Sequence, residues 1–233
     1  MSELLEFADA QAMNRALADA IVERLAAGVT RNGQASLVVS GGTTPADLFD
    51  VLAACDAPWK DVWVTLSDER WVDPASDRSN EHLVRTHLLK GKAATARFVP
   101  LKTASAHANE AEAETGAAVA AMPRPFDVLL LGLGNDGHTA SLIPGAEGLA
   151  GALDQSDPAL TRSVHPPAST GMGERLTLTL RALLESRWIA LLIRGAEKLE
   201  TYNKVSGGGD VLMAPVRGVL RQSRVPVTAY WSP

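Results

Sequence analysis

The sequence predicts an α/β fold in which helices cover both faces of a doubly wound, mostly parallel sheet. Short apolar or β-branched runs recur along the chain, and the intervals between them are long enough for crossover helices. The runs that predict strands are residues 36–39, 62–66, 127–131, 188–193 and 225–231. The intervals predict helices over residues 9–27, 45–54, 80–89, 106–122 and 196–205.

Individual elements have their own signals. In the first helix Met13, Leu17, Ala20, Ile21 and Leu25 recur at helical spacing, and Gly28 is predicted to end it. Residues 145–173 are rich in Gly, Pro and Ser, which predicts a long irregular connection. The alternating residues 175–180 that follow can form a further strand with its threonines on one face.

Composition limits the classes of protein to consider. The 233 residues are 46% apolar and 21% charged, which favours a globular protein, and we expect a single domain over residues 1–233. The chain contains neither a run of about 18 apolar residues nor a basic, cleavable leader, so we expect no membrane segment and no export. Its formal charge of −5 and lack of a basic cluster argue against nucleic-acid binding. The single cysteine, Cys55, lies in an apolar run and is predicted to be a packed thiol.

The central segment, residues 126–144, is the most informative part of the chain. An apolar strand leads into the loop Gly132-Leu-Gly-Asn-Asp-Gly-His138, in which Asp136 precedes His138 by two positions. Open α/β folds place ligands at the carboxyl edge of the sheet, so this loop predicts a general base there. The same glycines match a dinucleotide-binding pattern, which needs a long helix after the loop and an acidic residue at the end of a further strand. Here Pro144 shortens any following helix, and no strand is predicted before Gly151.

Two earlier strands also end in polar residues. The first leads into Ser40-Gly-Gly-Thr-Thr-Pro45, where paired glycines, a helix start and a predicted Thr44 N-cap favour either an anion site or an ordinary capped turn. The second leads into Ser67-Asp-Glu-Arg-Trp-Val72, which is either a solvated turn or part of a site. Parallel strands bring all these ends to one edge of the sheet, which favours the site.

These segments together resemble the bacterial type of 6-phosphogluconolactonase. The motifs are Ser40-Gly-Gly-Thr-Thr-Pro45, Ser67-Asp-Glu-Arg-Trp-Val72, Ser79-Asn80, the segment from Gly132 to Pro144, and Arg175-Leu-Thr-Leu-Thr179. The resemblance extends over nearly the whole chain, and it rests on the order and spacing of the motifs. Ile143 departs from it conservatively, because phenylalanine is common at that position.

The resemblance implies a cytoplasmic enzyme of the pentose phosphate pathway that hydrolyses 6-phospho-D-glucono-1,5-lactone, on a fold shared with glucosamine-6-phosphate deaminases. It implies a small phosphosugar lactone as partner and no metal or organic cofactor. We expect a monomer or small homo-oligomer. The resemblance also implies the site residues. The phosphate is expected against Gly41, Gly42, Thr43 and Thr44, with Arg175 and Lys198 supplying charge, and the sugar is expected to extend toward Asp68, Arg70 and His138.

The mechanism is a hypothesis at this point. His138 is expected to take a proton from the attacking water, and either Asp136 or Asp68 is expected to orient its imidazole. Amides of the glycine loop or Arg70 are the candidate oxyanion donors. A serine nucleophile at Ser40 is disfavoured, because Val38 occupies the position of the first glycine in a nucleophile elbow.

Alternatives remain for function and for the other histidines. A sugar-phosphate deaminase would need a glutamate where Leu142 and Ile143 stand, and a non-enzymatic sensor would need an output module that this sequence does not display. Three histidines, His82, His87 and His107, are predicted to have ordinary helical roles, whereas His165 in the long loop is a candidate substrate contact. No histidine pair has zinc-site spacing with cysteines.

Overall fold

The computed structural model describes residues 2–233, which form two sheets and eight α-helices. The strands are β1 (Glu3–Glu6), β2 (Ala35–Val39), β3 (Val62–Leu66), β4 (Asp68–Arg70), β5 (Arg97–Val99), β6 (Val128–Gly132), β7 (Thr161–Val164), β8 (Arg175–Leu178), β9 (Ile189–Arg194) and β10 (Val227–Ser232). The helices are α1 (Ala10–Asn32), α2 (Ala46–Ala54), α3 (Asn80–His87), α4 (Glu112–Ala120), α5 (Leu149–Leu153), α6 (Leu180–Leu183), α7 (Ala196–Ser206) and α8 (Val216–Leu220).

The larger sheet has seven strands in the order β1-β10-β9-β6-β2-β3-β5, and every neighbouring pair is parallel. Every residue of β2 is buried, as expected when both faces of a parallel sheet are covered. The predicted α/β fold is therefore confirmed. The direction of winding reverses between β2 and β6, and open α/β sheets bind ligands at such a switch point.

The smaller sheet was not predicted. It is antiparallel, in the order β4-β8-β7, and it is built from segments that are distant in sequence. The residues after β3, expected as a turn or loop, form strand β4, which pairs Asp68 with Thr177 and Arg70 with Arg175. The strand predicted at residues 175–180 is present as β8.

Several predicted boundaries were wrong for identifiable reasons. Helix α1 continues past Gly28 and ends at Asn32, because Gly33 adopts the left-handed conformation (φ 73°) and donates its N–H to the Val29 carbonyl. Gly28 lies inside the helix at a close approach to Asp127. A Cβ on Gly28 would lie 2.7 Å from the carboxyl carbon of Asp127, so this glycine serves packing and does not end the helix.

Two further segments differ from prediction. Residues 106–111 are not part of α4, since the Ala106 carbonyl accepts a hydrogen bond from the Trp71 indole and the Ala108 amide donates to Glu174. The region 145–173, expected to be irregular, contains α5, β7 and a 3-10 turn. Strand β7 depends on pairing with β8, which local composition does not reveal. Among residues 2–233 no helix combines the length and apolar composition that a membrane crossing requires.

Candidate active site

A cavity of about 260 Å³ opens at the carboxyl ends of β2, β6 and β9, next to the switch point of the sheet. Its lining includes nine of the ten residues predicted for the site: Gly41, Gly42, Thr43, Thr44, Asp68, Arg70, His138, Arg175 and Lys198. The tenth, Asp136, lies behind the lining and contacts His138. The fold thus brings the glycine loop and the imidazole into one cavity.

His138 is held by the loop that follows β6. Its Nδ1 lies 2.6 Å from Asp136 Oδ1, and its backbone N–H donates to the same oxygen. The Gly134 amide closes the loop by donating to the His138 carbonyl. A Cβ on Gly134 would lie 2.0 Å from His138 Nδ1, so glycine is required for the imidazole to lie flat against this turn.

The lowered pKa of Asp136 indicates which nitrogen of the His138 imidazole carries a proton. Burial alone would raise the pKa of Asp136, but hydrogen bonds and charge from His138 outweigh it and lower the pKa below the ordinary value. An ionised Asp136 only accepts hydrogen bonds, so Nδ1 of His138 carries a proton; in the neutral imidazole with the proton on Nδ1, Nε2 is the acceptor. With about 30% of its side chain exposed, His138 is accessible from the cavity.

Asp68, the other carboxylate considered for orienting His138, has different partners. Ser141 Oγ donates to its Oδ2 at 2.5 Å and Ser67 Oγ donates to its Oδ1 at 3.0 Å. Arg175 Nη1 lies 3.9 Å from the same Oδ2. Of the two carboxylates, Asp136 is therefore the one that contacts the imidazole.

Arg175 reaches the cavity through the smaller sheet. Its pairing with Arg70 across β4 and β8 places both guanidinium groups along one wall. Burial lowers the pKa of Arg175, and the nearby charge of Asp68 opposes this effect. An arginine stays charged at neutral pH even so, and Arg175 therefore presents a largely desolvated positive charge.

The glycine loop connects β2 to α2. Gly42 has φ +101°, which favours glycine, and Ser40 Oγ accepts a hydrogen bond from the Gly132 amide at 3.1 Å, joining this loop to the end of β6. The predicted N-cap was wrong. Pro45 occupies the cap position with helical backbone angles, and its carbonyl accepts the first helical hydrogen bond, so Thr44 remains in the preceding turn.

Lys198, in helix α7, reaches back to the loop that follows β6. Its Nζ donates to the Leu133 carbonyl at 2.5 Å. Burial lowers the pKa of Lys198, and the charges of Glu197 and Asp136 oppose this.

Arg194 also lines the cavity, although the sequence analysis did not predict it. Its position at the end of β9 could have indicated this, because the other site loops also follow parallel strands. Arg194 Nη1 lies 3.6 Å from Asp47 Oδ2. The lining contains four cationic side chains and one carboxylate, which gives it a net charge of +3 in a protein whose formal charge is −5. The cations are Arg70, Arg175, Arg194 and Lys198, and the carboxylate is Asp68.

The remaining histidines and the cysteine lie outside the cavity lining. His82 lies near Asp77, His87 contacts Asp50, and both His107 and His165 lie near Glu174. His165, considered as a substrate contact, is therefore not among the residues that line the cavity. The Cys55 thiol donates to the Val51 carbonyl, and burial raises its pKa, as fits a packed thiol.

The chain is similar to known proteins over nearly its whole length. The model of the glucosamine-6-phosphate isomerase/6-phosphogluconolactonase family matches residues 8–231. The chain belongs to this family. Its predicted membership is thereby confirmed.

Individual relatives place the chain within the family. A 6-phosphogluconolactonase of Rhizobium meliloti (strain 1021) is 43% identical over 228 residues, covering 97% of each chain. The crystal structure of a 6-phosphogluconolactonase from Shewanella baltica OS155 superposes with a TM-score of 0.97 at 40% identity, covering 100% of this chain and 98% of that one. These relatives confirm the predicted lactonase type of enzyme.

A monomeric glucosamine-6-phosphate deaminase superposes with a TM-score of 0.78 at 17% identity, covering 99% of this chain and 97% of that one. At this identity the likeness concerns the fold alone. It confirms the prediction of a deaminase-like architecture.

Proposed function

We propose that this protein hydrolyses 6-phospho-D-glucono-1,5-lactone to 6-phospho-D-gluconate, the lactone-opening step of the oxidative pentose phosphate pathway. The observation that supports this most is the shared cavity, in which an Asp136-bound imidazole faces a glycine loop and a lining of net charge +3. An anionic ligand with a hydrolysable group suits both halves of this cavity. The relatives are named 6-phosphogluconolactonases, and this supports a phosphogluconolactone as that ligand.

The phosphate binds at the glycine loop. Backbone amides near the start of α2 and the helix dipole favour an anion there, and Gly42 lets the chain approach it closely. Arg175 and Lys198 complete the phosphate site with charge-assisted hydrogen bonds. The lactone ring then extends toward Asp68, Arg70 and His138, which line the other part of the cavity.

His138 is the general base. Nε2 takes a proton from a water molecule as its oxygen attacks the lactone carbonyl carbon, and a tetrahedral oxyanion forms. When the bond to the ring oxygen breaks, the imidazolium returns the proton to that oxygen, so one water is added overall. Asp136 holds Nδ1 protonated throughout and stabilises the imidazolium.

Glycine-loop amides or Arg70 stabilise the oxyanion, a contribution that in other enzymes is about 3–4 kcal/mol per donor. The reaction needs no metal or organic cofactor.

Direct attack by water is favoured over a serine nucleophile. Ser40 Oγ accepts a hydrogen bond from the Gly132 amide, and Ser141 Oγ is buried and donates to Asp68, so neither hydroxyl contacts the imidazole. A nucleophilic serine needs an adjacent base to take its proton. We therefore propose that the nucleophile activated by His138 is a water molecule.

A sugar-phosphate deaminase is the principal alternative. Ring opening in that reaction uses an acidic partner for the histidine at the end of the loop, where this chain has Leu142 and Ile143. Both side chains are buried and apolar, so they exchange no proton with the imidazole. This difference favours lactone hydrolysis.

The decisive experiment is a lactonase assay on freshly prepared 6-phosphogluconolactone, with the uncatalysed decay subtracted. We expect rapid hydrolysis, and much slower hydrolysis of the unphosphorylated lactone, because the phosphate site then contributes nothing. Ammonia release from glucosamine 6-phosphate would instead identify a deaminase. Phosphate binding without turnover of either substrate would support a sensor.

A further inference from the structure

A fully buried carboxylate lies directly behind the candidate active site, between two residues of its lining. Glu69 is 0% exposed and accepts four hydrogen bonds. Its Oε1 accepts from the Arg70 and Asn80 amides at 2.7 Å, and its Oε2 accepts from the Glu81 amide at 2.7 Å and from Ser79 Oγ at 2.9 Å. Burial raises the pKa of Glu69, and these hydrogen bonds act against that effect.

These bonds attach the start of α3 to β4. Ser79 is the N-cap of α3, accepting from the His82 amide while donating to Glu69. The next two amides of the helix, which have no partner within it, are both satisfied by the same carboxylate. The helix dipole favours a negative charge at this end. Glu69 therefore fixes the position of α3 relative to β4.

Asn80 extends the connection to the glycine loop. Its Nδ2 donates to the Asp68 carbonyl at 2.8 Å, and its side chain is 1% exposed. Its Oδ1 lies only 1.8 Å from the position that a Cβ on Gly41 would occupy. Asn80 thus fills the space beside Gly41, and its amide lies in contact with the backbone of the loop.

We propose that Glu69 is a positioning residue for the phosphate site, acting through Asn80 on the glycine loop and through its own strand on Arg70. This inference rests on the proposed function, because the phosphate site is part of that proposal. Glu69 does not line the cavity, so it acts only by holding other groups. The glycine loop follows a strand of the larger sheet, whereas Arg70 and Arg175 belong to the smaller sheet, and the Glu69–Asn80 connection joins these two parts of the site.

The test compares Glu69→Gln with Glu112→Gln. Glutamine keeps the volume of Glu69 but turns an NH₂ group toward N–H donors. Glu112 is a matched control away from the cavity, because it also accepts from a backbone amide and a serine hydroxyl, both of Ser163 at 2.7 Å. Both variants are expected to unfold at a lower temperature. Only Glu69→Gln is expected to weaken phosphate binding, by about tenfold or more, because small displacements of a binding group are costly.

Binding is measured with inorganic phosphate by calorimetry, alongside KM and kcat for the lactone. A raised KM and phosphate Kd in folded Glu69→Gln, with both constants unchanged in Glu112→Gln, supports the proposal. Equal constants in the two folded variants, or a wild-type protein that binds no phosphate, overturns it. If Glu69→Gln does not fold, Asn80→Ala decides the question with the same readouts. Phosphate binding is independent of turnover, so a wild type that binds phosphate but does not hydrolyse the lactone refutes only the proposed function.

Discussion

Replacing Gly41 with alanine tests the close packing behind the glycine loop. An ideal Cβ at this position lies 1.8, 2.1 and 2.6 Å from three atoms of the Asn80 side chain, whereas real Cβ atoms do not approach other atoms within 3.0 Å. The loop or Asn80 must therefore move by about 1.2 Å. The φ of Gly41 lies outside the left-handed region, so the backbone angle itself does not require glycine at this position.

The expected effect follows from this displacement. A shift of about 1 Å in a binding group costs on the order of a hundredfold in activity, and overpacking a close-packed site costs about 1–3 kcal/mol of stability. We expect kcat/KM for the lactone to fall about a hundredfold in Gly41→Ala. In an Asn80→Ala background, which removes the three atoms nearest to the added Cβ, the same change should have little further effect.

The assay is lactone hydrolysis with spontaneous decay subtracted, together with thermal unfolding of each variant. Gly151→Ala is the control, because Gly151 lies in α5 with nothing within 4 Å of an added Cβ. That variant should keep full activity. Wild-type activity in Gly41→Ala, or an equal loss from Gly41→Ala in both backgrounds, would refute the reasoning.

Other substitutions test the remaining parts of the site. His138→Ala should lower kcat about a hundredfold or more, as expected for loss of a general base, and a wild-type rate above spontaneous decay would exclude this role. Arg175→Ala and Lys198→Ala should each raise KM strongly, whereas Arg162→Ala, which removes an ion pair with Glu112 away from the cavity, should not. An unchanged KM in both site variants would remove them from the phosphate site. The pKa of Asp136 in the folded protein is lower than 3.8, its ordinary value, which we take for the unfolded chain. The ionised carboxylate therefore stabilises the fold at pH values above 3.8, and this stabilisation is lost as the pH falls through the pKa of the folded state. The difference in Tm between wild type and Asp136→Asn should therefore narrow below pH 3.8, and a constant difference from neutral to strongly acidic pH would contradict this.

Much of the central sheet was predictable because its signals are local. Strands β2, β3, β6, β9 and β10 are apolar runs buried on both faces, and each lies within two residues of its predicted bounds. Edge strands β1 and β5 were missed, since each is short and only partly buried and depends on a neighbour for its hydrogen bonds. The end of α1 was misplaced because Gly28 and Gly33 look alike in sequence, and only the backbone angle distinguishes the cap.

For the site, the sequence by itself determined which polar residues follow the parallel strands, and hence that Gly41, Gly42 and His138 would meet at one edge of the sheet. It also placed Asp136 within reach of His138, because two residues in a glycine turn cannot lie far apart. Tertiary structure decided the rest. The pairing of β4 with β8 joins residues more than a hundred positions apart, and it places Arg175 beside Asp68 and Arg70. Such contacts depend on which distant segments bury each other, and no local pattern of residues specifies them.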